Sequence, residues 1–159
     1  MTSNKKKQLK LIVITGPTAT GKTSIAAQLA YDIDSEIISA DSRQVYKGMD
    51  IGTGKDLNEY VVNNKSINYH LIDILDPMKD YSVYDFQKDF SKSCEIIKNN
   101  KRIPILCGGT GLYIESILLD YDLSKKPPPN TKLRKELATY SKDTLIKKLQ
   151  EQSNKHDIS

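Results

Sequence analysis

The hydrophobic pattern near the N-terminus is that of a strand followed by a helix. Residues 9–15 read Leu-Lys-Leu-Ile-Val-Ile-Thr, and a short β-branched apolar run of this kind predicts a buried strand. After a polar interval that contains two glycines, Ile25, Leu29 and Ile33 recur every four residues. This spacing predicts a helix with those three residues on its apolar face. The pattern therefore predicts strand, loop and helix in that order.

Three further apolar runs predict strands at residues 36–40, 69–75 and 103–107. The third strand should end at Asp76-Pro77, because an Asp-Pro dipeptide is typical of a turn. Residues 47–68 are rich in Gly, Asp, Asn and Lys. This composition predicts loops, with one turn of helix near residues 57–62.

Residues 82–99 form the clearest predicted helix. Ser82, followed three residues later by Asp85, predicts a capping box at its start. Four apolar residues then recur on one face of this helix: Phe86, Phe90, Cys94 and Ile97. Another helix is expected at residues 112–119, directly after the glycine-rich turn that follows the fourth strand.

The C-terminal residues differ in composition from the rest of the chain. The three prolines at 127–129 predict a stiff spacer. Leu133, Leu137 and Tyr140 mark one helix beyond it, and residues 145–149 mark another, with Ser141 or Asp143 as its N-cap. We therefore expect two parts: a core at residues 1–124 and a basic helical segment at residues 125–159.

Strands that alternate with helices predict an α/β fold, in which a parallel sheet carries helices on both faces. Ligands of such sheets bind outside the carboxyl ends of the strands. The loop after the first strand, Asp41 after the second, and Gly108–Gly111 after the fourth should all lie at that rim.

The loop after the first strand matches the phosphate-binding motif G-x-x-x-x-G-K-[ST]. Its residues are Gly16, Pro17, Thr18, Ala19, Thr20, Gly21, Lys22 and Thr23. In this motif, glycines let several backbone N–H groups point at one anion at a helix start. Lys22 would add a charge for a terminal phosphate, and the Thr23 hydroxyl would ligate Mg²⁺.

Composition narrows the class of protein. The chain has 159 residues, 38% of them hydrophobic, which is enough for one domain with a core. No apolar run approaches a membrane span, and residues 1–10 are polar, so a cytoplasmic protein with reduced, buried Cys94 and Cys107 is expected.

The net charge is +4, and residues 125–159 carry nine basic and four acidic residues. That segment could bind nucleic acid or be a solvated helix surface.

Residue spacing alone does not decide which chemistry takes place at this rim of the sheet. Asp41 could accept a proton or hold Mg²⁺ through water, or it could cap a turn. Gln44 could pair with an adenine edge and Arg43 with phosphate or guanine, although both could be ordinary surface residues. Gly108–Gly111 could bind an anion or simply turn the chain. His70 is expected to be structural, and Asp73 is a weak candidate for a Walker-B carboxylate.

Several sequence blocks together resemble the tRNA dimethylallyltransferases, also called tRNA isopentenyltransferases. Five blocks in the family's order carry this resemblance: the phosphate loop, residues 38–53 (Ile-Ser-Ala-Asp-Ser-Arg-Gln-Val-Tyr-Lys-Gly-Met-Asp-Ile-Gly-Thr), residues 70–77, residues 81–86 and residues 103–113. The second block is far more specific than the phosphate loop.

The resemblance implies that a dimethylallyl group moves from dimethylallyl diphosphate to N6 of an adenine beside the tRNA anticodon. The phosphate loop would hold the departing diphosphate with Mg²⁺, and Asp41 would take the proton of the attacking amine. Residues 41–44 (Asp41, Ser42, Arg43 and Gln44) would receive the adenine. Thr110 and Arg134 match family positions that contact tRNA.

The family also implies a longer protein. Its members have about twice this length, with a helical tRNA-binding insertion and further strands, and we expect this chain to stop as that insertion begins. Three alternatives stay open: a P-loop kinase of a nucleoside or other small molecule, a non-catalytic phosphate-binding fragment, and a prenyltransferase that acts on free adenylate.

Overall fold

A computed structural model describes residues 10–123 and 130–156 of the chain. These residues fall into two compact units, divided at Leu123 and Ser124, and each unit is described by itself. The proline spacer predicted at residues 127–129 lies outside the described residues. None of the helices in the described ranges combines the length and the apolar character needed to cross a bilayer.

The first unit contains a parallel sheet of four strands: β1 (Ile12–Thr15), β2 (Ile37–Ser39), β5 (Tyr69–His70) and β6 (Ile105–Gly108). Their order across the sheet is β1-β6-β2-β5. The register pairs Ile12 with Ile105 and Ile37 with Ile105, so β6 lies between the strand that precedes the phosphate loop and the strand that precedes Asp41. The predicted parallel sheet is confirmed.

Helices cover both faces of this sheet. The helices of the first unit are α1 (Lys22–Asp32), α2 (Val83–Asn99) and α3 (Gly111–Leu118). Ile37 and Ile105 belong to a core cluster with α1, whereas Ile38 and Leu106 belong to a cluster with α2 and α3. Successive strand residues point to opposite faces, so the sheet is the middle of three layers.

Helix α2 follows its sequence prediction closely. The Ser82 side chain accepts from the Asp85 N–H, and the Asp85 carboxylate accepts from the Ser82 N–H, which completes the capping box. Phe86, Phe90, Cys94 and Ile97 are all buried. Phe86 stacks on Tyr113 of α3 with ring centroids 4.3 Å apart, which joins the two helices on this face.

The predicted apolar face of α1 is right only at Leu29, which is partly buried and packs against the core cluster. Ile25 is 60% exposed and Ile33 is 42% exposed, whereas Ala26, Ala27 and Ala30 are buried. Small side chains let this helix approach the sheet closely, so Ala26, Ala27 and Ala30 pack against the core, whereas Ile25, and Ile33 just after the helix, are exposed. The spacing of large apolar residues gave no sign of this.

The region after β2 also differs from its prediction. The expected third strand is only Tyr69–His70, because Leu71 and Asp73 have positive φ angles of 65° and 55° that break an extended chain. The expected helical turn is a 3₁₀ turn at Leu57–Tyr60. A hairpin that the sequence did not predict, β3 (Val61–Val62) and β4 (Lys65–Ser66), follows it.

The second unit contains two helices, α4 (Thr131–Leu137) and α5 (Lys142–His156). Tyr140 was expected to share a helix with Leu133 and Leu137, but α4 ends before it. Ser141 is the residue that caps α5, since its hydroxyl accepts from the Thr144 N–H at 3.3 Å.

Candidate active site

A cavity of about 250 Å³ lies at the carboxyl ends of the strands in the first unit. Four stretches of chain form it: the phosphate loop, the turn after β2, residues 53–60, and the end of β6. The lining residues are Thr18, Ala19, Thr20, Gly21, Lys22, Thr23, Asp41, Gln44, Thr53, Gly54, Asp56, Glu59, Tyr60, Cys107, Gly108 and Gly109. Among the predicted site residues, those from Thr18 to Thr23, Asp41 and Gln44 therefore meet in one space.

The phosphate loop leaves the start of α1 open. Gly21 precedes the helix in the left-handed conformation, with φ 77°, and no side chain caps it. The first amides of any helix have no partner within the helix, and the first turn of α1 contains no acidic residue. Helix α2, by contrast, has its capping box. The amides that open α1 and the positive end of its dipole are therefore suited to a bound anion.

Lys22 and Thr23 occupy the first turn of α1 at the cavity. The Lys22 ammonium donates to the carbonyl of Pro17 within the loop, and the Thr20 hydroxyl donates to the same carbonyl at 2.9 Å. A phosphate in the cavity would offer the ammonium a charged acceptor in place of a neutral one, which is the stronger hydrogen bond. Both side chains thus bond to the backbone of the loop itself.

Asp41 both lines the cavity and caps a turn. Its Oδ1 accepts from the Arg43 N–H at 2.8 Å and from the Gln44 N–H at 3.3 Å. The turn-capping role considered from the sequence is therefore present. Both of these bonds use Oδ1, so Oδ2 is not committed to the turn. The geometry keeps the carboxylate fixed by the backbone while it lies in the same cavity as Lys22.

Close contact between β2 and β6 sets the position of Asp41. The Ala40 N–H donates to the Cys107 carbonyl at 2.8 Å, and the Thr110 N–H donates to the Ala40 carbonyl at 3.1 Å. A Cβ atom on Gly108 would lie 2.3 Å from that carbonyl oxygen. Glycine is therefore required at this position, because any side chain would push apart the two strand ends that bring Asp41 beside the phosphate loop.

The predicted tRNA-contacting residues lie in different places. The Thr110 hydroxyl accepts from the Ser42 N–H at 3.0 Å, so it supports the turn that carries Asp41. Ser42 and Arg43 are exposed beside the cavity. Gln44 donates from its amide nitrogen to the Gly54 carbonyl at 3.1 Å and accepts from the Ser39 hydroxyl at 3.1 Å. Arg134 lies on α4, in the second unit.

Sequence reasoning missed one side of the cavity. Thr53 ends the block of residues 38–53 that carries the family resemblance, and Gly54 follows it directly, so position in or beside that block was a usable signal. Tyr60 and Cys107 are buried, and burial raises the pKa of both, that of Cys107 to about 11. The thiol is therefore neutral at pH 7 and forms an uncharged wall.

The two remaining candidates, His70 and Asp73, bond to residues outside the cavity. His70 contacts Glu36 at 2.9 Å, which confirms the structural role expected for it. Asp73, the weak Walker-B candidate, does not line the cavity, and its Oδ1 accepts from the Lys55 ammonium at 2.6 Å. Within the described ranges, no group of three or more His, Cys, Asp or Glu side chains is arranged to hold a metal ion.

Fold and site together define an α/β protein of the phosphate-loop class, in which Asp41 lines the same cavity as the loop. Two family models match the chain: "IPP transferase" over residues 44–158 and "Isopentenyl transferase" over residues 9–72. The chain belongs to the IPP transferase family.

Its relatives include proteins named tRNA dimethylallyltransferase. The one from Phocaeicola vulgatus is 57% identical over 131 residues, which is 82% of this chain and 42% of that protein. The one from Azobacteroides pseudotrichonymphae is 51% identical over 151 residues, which is 95% of this chain and 49% of that protein. The chain thus spans somewhat less than half the length of these relatives.

Comparison with solved structures leads to the same family. The tRNA isopentenylpyrophosphate transferase of Bacillus halodurans is similar with a TM-score of 0.69 and 37% identity, over 95% of this chain and 49% of that one. A eukaryotic dimethylallyltransferase acting on tRNA is similar with a TM-score of 0.72 and 29% identity, over 89% of this chain and 35% of its own. These matches support the phosphate-loop fold and its assignment to this family.

Proposed function

We propose that this chain provides the diphosphate-binding and proton-accepting part of a tRNA dimethylallyltransferase. The observation that carries the proposal is the shared cavity, in which the amides around Lys22 and the carboxylate of Asp41 face one small space. The first feature suits a leaving diphosphate, and the second suits an attacking amine. The names of the relatives supply the dimethylallyl group and tRNA, and the family resemblance supplies the diphosphate of the donor and the adenine N6 of the acceptor.

The proposed reaction moves a five-carbon group. The C–O bond between the dimethylallyl group and the diphosphate breaks, and the electron pair leaves with the diphosphate. The adenine N6 amine forms a new C–N bond, and its proton passes to the Asp41 carboxylate. The open amides of α1 and the Lys22 ammonium stabilise the charge that develops on the departing oxygen, as an oxyanion hole does.

The residues present fit a magnesium ion. Thr23 offers a hydroxyl at the cavity, and Asp41 adds a carboxylate, which are the hard oxygen ligands that Mg²⁺ takes together with substrate phosphates and water. We assign Thr23 as the protein ligand. When bound, the ion would neutralise diphosphate charge.

The acceptor side is assigned to the turn after β2. Ser42 and Arg43 are exposed next to the cavity, which is a suitable place for an adenine that has left its stack. Thr110 accepts the Ser42 N–H of that turn, and Gln44, within the turn, donates to the Gly54 carbonyl. The basic helical segment at residues 125–159, with Arg134, is assigned to phosphate contacts with tRNA, since its excess of positive charge favours a polyanion.

Isothermal titration with dimethylallyl diphosphate and Mg²⁺ tests the donor side. We expect Lys22→Ala to weaken binding ~10–100-fold, because one charge-assisted hydrogen bond is lost. Lys92→Ala is the matched control, since it removes an exposed lysine from α2 and should bind as the wild type does. Equal affinities for the wild type and Lys22→Ala would refute the role of the loop. Release of ADP from ATP with a phosphorylated small molecule would instead identify a kinase.

A further inference from the structure

Lys55 carries a buried ammonium group that the proposed chemistry does not use. Its side chain is only 1% exposed, which is rare for a lysine. An ammonium has three donors, and here each one has an acceptor: Asp73 Oδ1 at 2.6 Å, the Tyr46 carbonyl at 2.9 Å and Asp50 Oδ1 at 3.0 Å.

These acceptors lie on three separate stretches of chain. Tyr46 ends the turn that starts at Asp41, Asp50 lies in the following loop, and Asp73 follows β5. The Asp73 N–H also donates to the Gln44 carbonyl at 3.0 Å. Backbone hydrogen bonds join residues 44–47 to residues 73–75 beyond the ends of the strands. Lys55 adds side-chain bonds that tie residues 50–55 to both of these segments.

Both sequence neighbours of Lys55 belong to the cavity, although Lys55 does not. Gly54 and Asp56 line the cavity, and the Gly54 carbonyl accepts the side-chain amide of Gln44 at 3.1 Å. Gln44 in turn donates its backbone N–H to Asp41. A continuous set of contacts thus runs from the buried ammonium, through Gly54 and Gln44, to the carboxylate.

We propose that Lys55 is a positioning residue, whose three hydrogen bonds hold the cavity wall at residues 53–56 and thereby fix Gln44 and Asp41 relative to the phosphate loop. The claim that Lys55 matters for the reaction rests on the proposed function, whereas the claim that it holds the cavity wall rests on the contacts alone. Burial by itself would lower the pKa of Lys55, but hydrogen bonds to Asp73 and Asp50 outweigh that effect and hold the pKa above its usual value. The group is therefore a permanent cation at neutral pH.

The test compares Lys55→Met with Lys92→Met, in which an exposed lysine is replaced instead. Amide hydrogen exchange and the Gln44 side-chain NH₂ signals are followed by NMR on the full 159-residue chain. In Lys55→Met we expect roughly tenfold faster exchange of the Asp73 and Gln44 amides, because charge-assisted hydrogen bonds are lost, and shifted Gln44 NH₂ signals. The amides of α2 should exchange as before, since a general loss of stability is not the expected effect.

Lys55→Arg keeps the charge and the donors, and it should recover most of the protection. Asp50→Ala removes one acceptor that is 67% exposed, so this variant stays folded even if Lys55→Met does not, and it should loosen the same amides to a smaller extent. Unchanged exchange and unchanged Gln44 signals in folded Lys55→Met, or in Asp50→Ala should Lys55→Met not fold, would overturn the assignment. So would an arginine variant that recovers nothing.

Pyrophosphate binding with Mg²⁺ separates this inference from the proposed function. The phosphate loop makes its own contacts, so Lys55→Met should bind pyrophosphate within about threefold of the wild type, because none of the three lost hydrogen bonds belongs to that loop. A wild-type protein that does not bind pyrophosphate would count against the proposed function. The exchange data would still decide the role of Lys55.

Discussion

Replacement of Gly108 by alanine tests how the two halves of the site are brought together. Gly108 ends β6 and lies against the backbone of Ala40, at the end of β2. An added Cβ would meet the Ala40 carbonyl oxygen at 2.3 Å and its carbonyl carbon at 2.5 Å. These neighbours are backbone atoms within a paired sheet, so they cannot rotate away as the tip of a side chain would.

The expected cost follows from that geometry. Overpacking of a tightly packed site typically destabilises by about 1–3 kcal/mol, and for a domain of this size each kcal/mol lowers Tm by roughly 3–5 °C. We therefore expect Gly108→Ala to melt about 3–15 °C below the wild type by circular dichroism. Ala40 must also move, and it directly precedes Asp41, so the carboxylate should be displaced from the phosphate loop.

Gly111→Ala is the matched control. A Cβ at Gly111, the first residue of α3, meets nothing within 4 Å. Alanine is the better helix former, so this variant should melt at or slightly above the wild-type temperature. If Gly108→Ala had the same Tm as Gly111→Ala, the claim that close approach of β2 and β6 sets the position of Asp41 would be refuted.

Two further predictions concern the core and the sheet. Phe86→Ala should lower the free energy of unfolding in urea by about 3–5 kcal/mol, because Phe86 is 1% exposed and stacked on Tyr113; a loss below about 1 kcal/mol would contradict this packing. Burial alone would raise the pKa of Glu36, but hydrogen bonds from His70 and Arg102 outweigh it and hold the pKa below its usual value. A depressed carboxyl pKa stabilises the fold above the unfolded-state pKa, and that stability is lost as the pH falls through the folded pKa. Glu36→Gln should therefore lose less Tm between pH 6 and pH 3 than the wild type, and an equal loss would contradict the assignment.

Sequence reasoning succeeded where a local pattern decides the structure. The capping pair Ser82 and Asp85 and the buried face of α2 depend on residues three or four apart, and the structure has both. The strand, loop and helix around Lys22 are also local, and the family resemblance rested on contiguous blocks. The parallel sheet followed from the alternation of such elements.

Local sequence pattern failed where packing distance or backbone conformation determines which residues are buried and where a strand ends. The stripe Ala26, Ala27 and Ala30 is buried because α1 approaches the sheet closely, which no spacing of large residues reveals. The third predicted strand breaks at Leu71, where φ is positive although leucine gives no such signal. Apolar residues alone therefore overestimated both the reach of that strand and the burial of Ile25.

Lys55 could not have been predicted, for a different reason. Lysines are usually exposed, and its partners Asp50 and Asp73 are separated from it by loop and hairpin. Their meeting depends on how the chain folds back after β5. A lysine within a loop rich in glycine and aspartate was visible, but nothing in the sequence paired it with a carboxylate 18 residues away.

The most direct test of the central claim is a crystal structure of the chain with pyrophosphate and Mg²⁺. The account predicts an anion seated on the amides of residues 19–23, the Lys22 ammonium moved from the Pro17 carbonyl to a phosphate oxygen, and the Asp41 carboxylate on the facing wall of the same cavity. An anion bound elsewhere, or an Asp41 side chain turned away from it, would contradict the account.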